Sequence, residues 1–205
     1  MLINKIGQGA MEFVEPIRDK KKIAQIKNLL RGEKRYRDLL LFVIGINTAL
    51  RISDLLDLRI GMFVDTDGSI LDYIYVREQK TDKRRRVKIN DAMKECLQEY
   101  LTIYPGIVSD PNHYLFFNVK TNDYSDPIKR GIAWRLIAAI CQDAGLRGNF
   151  GTHSLRKTWG YQARMGGVDL GLIMKTLNHS NLDETKRYLG ITDDELAEIA
   201  DKLNL

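Results

Sequence analysis

Metal centres and disulfide frameworks are built from cysteine and histidine, and this chain has few of either: two Cys and three His in 205 residues. Cys96 and Cys141 both fall inside helical patterns, with no metal-ligand spacing. That excludes a zinc module and a disulfide scaffold, and it fits a reducing cytoplasm. No apolar run approaches the roughly 20 residues that cross a bilayer. Met1-Leu2-Ile3-Asn4-Lys5 lacks the apolar segment of a secretory signal, so no membrane association is expected. The sequence also lacks an internal repeat, a low-complexity tract, a long flexible linker and a P-loop. One main domain with at most a short arm is the expectation at this length.

What is present is ordinary in bulk and uneven in distribution. Hydrophobic residues make up 44% and charged residues 29%, with a net charge of +5, as in a soluble globular protein. Between Arg18 and Arg37 nine Lys or Arg stand against two acids, and between Arg77 and Lys88 seven stand against two. From Asp193 to Lys202 the balance reverses to five acids and one Lys. Clustered basic charge suits a polyanion, and an acidic end would stay away from it. The plainer alternative is that the basic runs are solvated faces of a helix and a hairpin.

The apolar spacing predicts a mostly helical chain. After an arm of residues 1–16, Ile23, Ile26, Leu29 and Leu30 give one buried stripe, and Tyr36 to Leu50 is apolar on every side, as a central buried helix would be. Arg51 follows directly, and Ser53 can cap a short helix carrying Leu55, Leu56 and Leu58. Ile70 to Arg77 and Arg84 to Ile89 read as paired strands joined through Lys80-Thr81-Asp82-Lys83, placing Lys80 at a hairpin tip. A helical stripe from Met93 to Tyr104 ends at Pro105-Gly106, and Asp126-Pro127 reads as an N-cap and first helical residue of a helix closed by Gly145. Further helices are expected over His153 to Met165, Val168 to Leu177, Leu182 to Leu189 and Asp194 to Leu203. The fold class is therefore mainly α with a small antiparallel β-sheet, α+β.

His153 and Arg156 stand three apart at a helix start, so their side chains share a face beside N–H groups that favour a bound phosphate. Read together, Arg51-Ile52-Ser53-Asp54-Leu55, Gln79-Lys80-Thr81, Gly151-Thr-His-Ser-Leu-Arg-Lys157, Leu177-Asn-His-Ser-Asn181 and Thr185-Lys-Arg-Tyr-Leu-Gly190 resemble the catalytic domain of the tyrosine recombinase, or phage integrase, family in order, spacing and flanking hydrophobics. The resemblance covers roughly residues 20 to 192 and fills six expected positions. It implies that Arg51 and Arg156 clamp a phosphate, that Lys80 is the hairpin lysine, that His153 and His179 are the two histidines, and that Tyr188 is the nucleophile. Asp54 matches an acidic position that supports the site, and the hairpin's Lys83, Arg84, Arg85 and Arg86 are expected to contact DNA.

The chemistry of such an enzyme calls for these side chains. Displacing a 5′-oxygen from DNA passes through a five-coordinate phosphorus, whose anionic oxygens two guanidinium forks can stabilise without a metal. A tyrosine with a pKa near 10 needs help to lose its proton, the role expected of His153. The departing 5′-hydroxyl needs a proton, which Lys80 can supply as a general acid. A 3′-phosphotyrosine keeps the bond energy, so religation needs no ATP, and no cofactor or metal is implied.

Each residue also has a structural reading when taken singly: Arg51 as a cap on the preceding helix, Lys80 as a solvated turn residue, His179 as a helix-ending polar group, Tyr188 as an aromatic packed on Leu182. His113 matches no role and is expected at the surface. Two departures from the family stand out. About twenty residues precede the first matching helix, where members carry a separate helical domain that closes around the duplex, so the chain is either a fragment or an enzyme that grips DNA with one domain. Asn178 stands where the family commonly has Gly before the second histidine. The expected organisation is an arm over 1–16, a catalytic domain over 17–192 and a helix over 193–205. That last helix is expected to dock into a neighbouring protomer, in a dimer or tetramer on double-stranded DNA, or else to pack on its own domain. A catalytically silent DNA-binding regulator and a type IB topoisomerase-like enzyme are the competing functions.

Overall fold

The computed structural model describes residues 14–191, and the expected helix over 193–205 lies outside them. The chain enters extended, with the Ile17 side chain fully buried and its N–H donated to Thr158 Oγ1 at 2.8 Å. Helices α1 (Lys20–Gly32) and α2 (Tyr36–Thr48) follow, then the short α3 (Ile52–Leu56). The antiparallel hairpin β1 (Tyr73–Arg77) and β2 (Arg84–Lys88) leads to α4 (Asp91–Ile103). A second small hairpin, β3 (Phe117–Asn118) and β4 (Asp123–Pro127), precedes α5 (Arg130–Asp143), α6 (Thr152–Met165), α7 (Leu170–Leu177) and α8 (Leu182–Leu189).

Helix α2 is the axis of the molecule. Leu39 through Ile44 are all completely buried, each such side chain contributing roughly 1.5–3 kcal/mol of apolar transfer. Its neighbours are α1, α4 and α6. A Cβ at Gly45 would lie 2.5 Å from Leu155 Cδ1, so α2 and α6 approach as closely as they do because that position has no side chain. The N-terminal end of α2 is fixed by Arg37, which donates to Asp38 Oδ1 and to the carbonyl of Phe117 at 3.0 Å, both side chains being buried.

In its secondary structure and loops the structure departs from the sequence reading at four places. Asp126-Pro127 does not start a helix: the Asp126 carboxylate accepts from Asn118 Nδ2 and Thr121 Oγ1 across the second hairpin, Pro127 pairs with Phe117 in that hairpin, and α5 begins at Arg130 after Lys129, with no side-chain cap. Two two-stranded sheets are therefore present where one was expected. Ser53 lies inside α3 and donates weakly to Asp54 Oδ1 at 3.4 Å, while Arg51 occupies the cap position. His113 is half-buried, its Nδ1 2.8 Å from the Ile107 carbonyl and its ring against Tyr124, so it ties together the loop before β3.

Candidate active site

Helix α2 ends at Ala49 in the left-handed region (φ 56°, ψ 21°), a conformation that disfavours a Cβ by roughly 1–2 kcal/mol. It is held there by complete burial of the Ala49 methyl and by a hydrogen bond from Arg156 Nη1 to the Ala49 carbonyl. The reversal sends the chain through Leu50 into Arg51, extended at φ −70°, ψ 154° at the head of α3. Arg156 is only 4% exposed, and its other terminal nitrogen donates to the Leu177 carbonyl. One guanidinium thus joins the α2–α3 junction to the end of α7. Of its five N–H donors, two are committed to these carbonyls, and the rest face Tyr188 or are open to an anion.

Arg51 donates to Glu78 Oε2 at 2.7 Å. Glu78 is 1% exposed, and the same oxygen accepts from Asn178 Nδ2 at 2.8 Å and Thr81 Oγ1 at 3.1 Å. Burial opposes its ionisation, yet the bonds from Asn178, Arg51 and Thr81 hold its carboxyl below the usual range. Lys80 is exposed at the tip of the β1–β2 hairpin, and the hairpin's base is pinned by the Gln79 N–H donating to the buried Asp54 Oδ1 at 3.0 Å. Asp54 therefore supports the hairpin that carries Lys80.

His153 lies on the first turn of α6, three residues before Arg156, and makes no hydrogen bond within the described residues. Although the residue is exposed, desolvation by the groups crowded around it, then the charges of Arg130, Arg156, Lys157 and Arg51, push its imidazole below the ordinary value. His179 follows the left-handed Asn178 at the end of α7, its Nδ1 3.0 Å from Thr185 Oγ1 and its ring edge-on to Tyr188 with centroids 5.0 Å apart. Burial lowers its pKa first, with Arg156, Arg51 and Lys80 adding to the effect and Glu184 opposing it.

Tyr188, on α8, packs with Ala49, Ile173 and Leu177, while Leu182 is 43% exposed, so the packing expected on Leu182 is not the one formed. Its hydroxyl is buried beside the Arg156 guanidinium, and burial pushes the phenol up to about 12 against the pull of Arg156 and Arg51. The Lys157 ammonium lies 5.2 Å from the Tyr188 ring centroid and is itself pushed down to about 8 by burial. The structure therefore brings Arg51, Arg156, His153, His179, Tyr188 and the Lys80 hairpin into one neighbourhood in which positive charge exceeds negative. A site of that kind is stabilised by an anion.

Strand alternation sorts the basic run. Arg84, Arg86 and Lys88 face outward with Tyr73 and Tyr75, and Arg86 lies 4.5 Å from the Tyr73 ring centroid. Arg85, expected to contact DNA, faces inward with Val76 and Val87 and donates to the Thr48 carbonyl at 2.5 Å. Lys83 is exposed and donates to Asn178 Oδ1. Sequence reasoning missed Glu78, Thr81 and Lys157. Glu78 had a signal: it continues the inward parity of Ile74 and Val76, an acid on the buried face of a strand.

With this geometry in hand, the comparisons are specific. The Phage integrase family matches residues 18–195. The chain is 37% identical over 184 residues to the probable integrase/recombinase YoeC of Bacillus subtilis, covering 90% of this chain and 93% of that protein. It is 29% identical over 164 residues to the tyrosine recombinase XerD of Corynebacterium glutamicum, covering 80% of this chain and 51% of that one. Among solved structures, XerA recombinase aligns with a TM-score of 0.71 at 20% identity, over 98% of this chain and 67% of that chain. The chain belongs to the phage integrase family, the tyrosine recombinases, which break and rejoin DNA. It spans nearly all of YoeC and about half the length of the XerD relative. Among the described residues, no helix is long and apolar enough to cross a membrane.

Proposed function

We propose that this chain is a site-specific recombinase that cleaves double-stranded DNA through Tyr188. The phenol oxygen attacks phosphorus in line, the bond to the 5′-oxygen breaks, and the product is a 3′-phosphotyrosyl linkage. Arg51 and Arg156 hold the non-bridging oxygens as charge builds on them. His153 takes the Tyr188 proton, since its depressed pKa keeps the imidazole neutral near pH 7. Lys80 gives a proton to the leaving 5′-oxygen, and His179 donates to a phosphate oxygen. Attack by the 5′-hydroxyl of another strand reverses the sequence, with no outside energy source. Arg84 and Arg86 on the outward hairpin face contact backbone phosphates, and protomers associate as a dimer or tetramer on the DNA.

One observation carries the reading. Arg156 is bonded at once to the residue before Leu50-Arg51 and to the residue before Asn178-His179, so the two halves of the motif meet at a single buried cation beside Tyr188. A nicked suicide substrate run on a denaturing gel tests it. Wild type should leave a covalent protein–DNA adduct, and Tyr188→Phe should leave none while still shifting the DNA in a native gel. An adduct that survives Tyr188→Phe would remove the assignment. Strand exchange between two duplexes separates a recombinase from an enzyme that only nicks and reseals.

A further inference from the structure

Asn178 does more than end a helix. Its backbone is the left-handed cap of α7, at φ 50° and ψ 45°, with its N–H turned back to the carbonyls of Lys175 and Met174. Its side chain faces the β1–β2 hairpin, roughly a hundred residues earlier in sequence, and makes three bonds there. Nδ2 donates to Glu78 Oε2 at 2.8 Å and to Thr81 Oγ1 at 2.9 Å, and Oδ1 accepts from Lys83 Nζ at 3.1 Å. The orientation of the amide is fixed by its partners: turned over, the amide oxygen would face a carboxylate and the amide nitrogen an ammonium. Glu78 precedes Lys80 and Thr81 and Lys83 follow it, so this one side chain grips the turn on both sides of Lys80. His179, the next residue along the backbone, bonds Thr185 on the helix that carries Tyr188.

A solvent-exposed hairpin tip has few means of holding a lysine in place, and the other anchors that tie it to the rest of the molecule are the bond from the Gln79 N–H to Asp54 and that from Arg51 to Glu78. We propose that Asn178 is a positioning residue that locks the Lys80 hairpin to the end of α7, so that Lys80 and His179 address the same phosphate. This rests on the assignment of Lys80 as the general acid. Asn178 touches neither substrate nor reacting atoms. It acts by fixing how far the ammonium stands from the 5′-oxygen it protonates, and displacements of about 1 Å in such groups cost on the order of a hundredfold.

The test uses Asn178→Gly, because glycine keeps the left-handed backbone and removes all three side-chain bonds. Cleavage is measured on a normal DNA substrate and on one with sulfur replacing the 5′-bridging oxygen, whose thiolate leaves without a proton. Lys80→Ala is run alongside. The expected result is a roughly ten- to hundredfold loss for Asn178→Gly on the oxygen substrate, near wild-type cleavage on the sulfur substrate, and little further loss when Lys80→Ala is added. Hydrogen exchange over residues 78–83 should quicken in Asn178→Gly while the thermal midpoint is unchanged. Equal losses on both substrates, or unchanged exchange in the hairpin, would overturn the proposal. If Lys80→Ala itself stays inactive on the sulfur substrate while hairpin exchange quickens as expected, the assignment of the acid to Lys80 fails and the proposal falls with it.

Discussion

The arginines and the tyrosine are held by two apolar clusters of very different size. The larger runs from Ile17 through α2, α4 and α5 to Leu155, and fixes the ground on which Arg51 and the start of α6 stand. The smaller, among the described residues, has Ala49, Ile173 and Leu177 as its fully buried members, with Trp159, Ala163, Leu170, Tyr188 and Leu189 packed around them. It holds α7 and α8 to α6, helped by the close seat of Leu189 on Gly160 and the bond from Arg156 to the Leu177 carbonyl. Stability scales with buried apolar surface, so local opening should begin in the smaller cluster. The proposed phosphate clamp is thus built on the rigid part and the proposed nucleophile on the yielding part. In the free protein the Tyr188 hydroxyl is buried and pushed up to about 12. On the proposed mechanism, DNA supplies the anion beside the arginines toward which the phenol turns.

The sharpest way to break this division is to remove the group common to both parts. Arg156→Ala leaves the carbonyls of Ala49 and Leu177 without their donor, at a cost of about 1–3 kcal/mol for each buried group in urea unfolding. It also removes half of the clamp, so single-turnover adduct formation should fall on the order of 10²–10³-fold. Arg156→Lys should recover stability better than cleavage, because one ammonium cannot make both carbonyl bonds and still offer a fork to phosphate. Equal recovery of both would mean that the guanidinium serves packing alone.

Two leucines compare the clusters directly. Leu41→Ala in α2 should lower the global unfolding free energy by about 2–5 kcal/mol and shift the whole transition. Leu177→Ala should instead speed hydrogen exchange over residues 170–190 with a smaller change in the global transition, because the segment that opens is already the least secured. If both substitutions move the global transition alike, the molecule has one cooperative core and the tyrosine is no freer than the arginines.

The same contrast explains what could be read from sequence. Long apolar runs commit a segment to burial whatever else surrounds it, so α2, α4 and the helices from α6 to α8 follow their periodicity. Polar residues choose among partners that sequence does not reveal. Asp126 could cap a helix and instead accepts from Asn118 and Thr121, and Pro127, lacking an N–H, suits a hairpin edge as well as a helix start. The six motif residues were legible because the resemblance supplied their grouping. Strand parity marks Glu78 as an inward acid, but its bond to Asn178, 100 residues away, was not legible, because hydrogen-bonding groups so far apart in sequence carry no local pattern.

The smallest expected effect concerns which part of the molecule sets the pH dependence. His153 stands on α6, on the rigid side, and its pKa is depressed first by desolvation among its neighbours and next by Arg130. A depressed base is neutral at pH 7 and becomes protonated only at a pH below its ordinary value of about 6.5, so kcat/KM for nicking should hold steady near neutrality and fall on an acid limb below that value. Arg130→Gln removes a positive charge that disfavours the imidazolium. The pKa then rises toward its ordinary value, and the acid limb should move to higher pH, with the rate above pH 8 nearly unchanged. The measurement is a pH series of adduct formation at subsaturating DNA. An acid limb that stays in place in Arg130→Gln but disappears in His179→Gln would move the proton acceptor from the rigid cluster to the yielding one, next to the tyrosine ring it already touches.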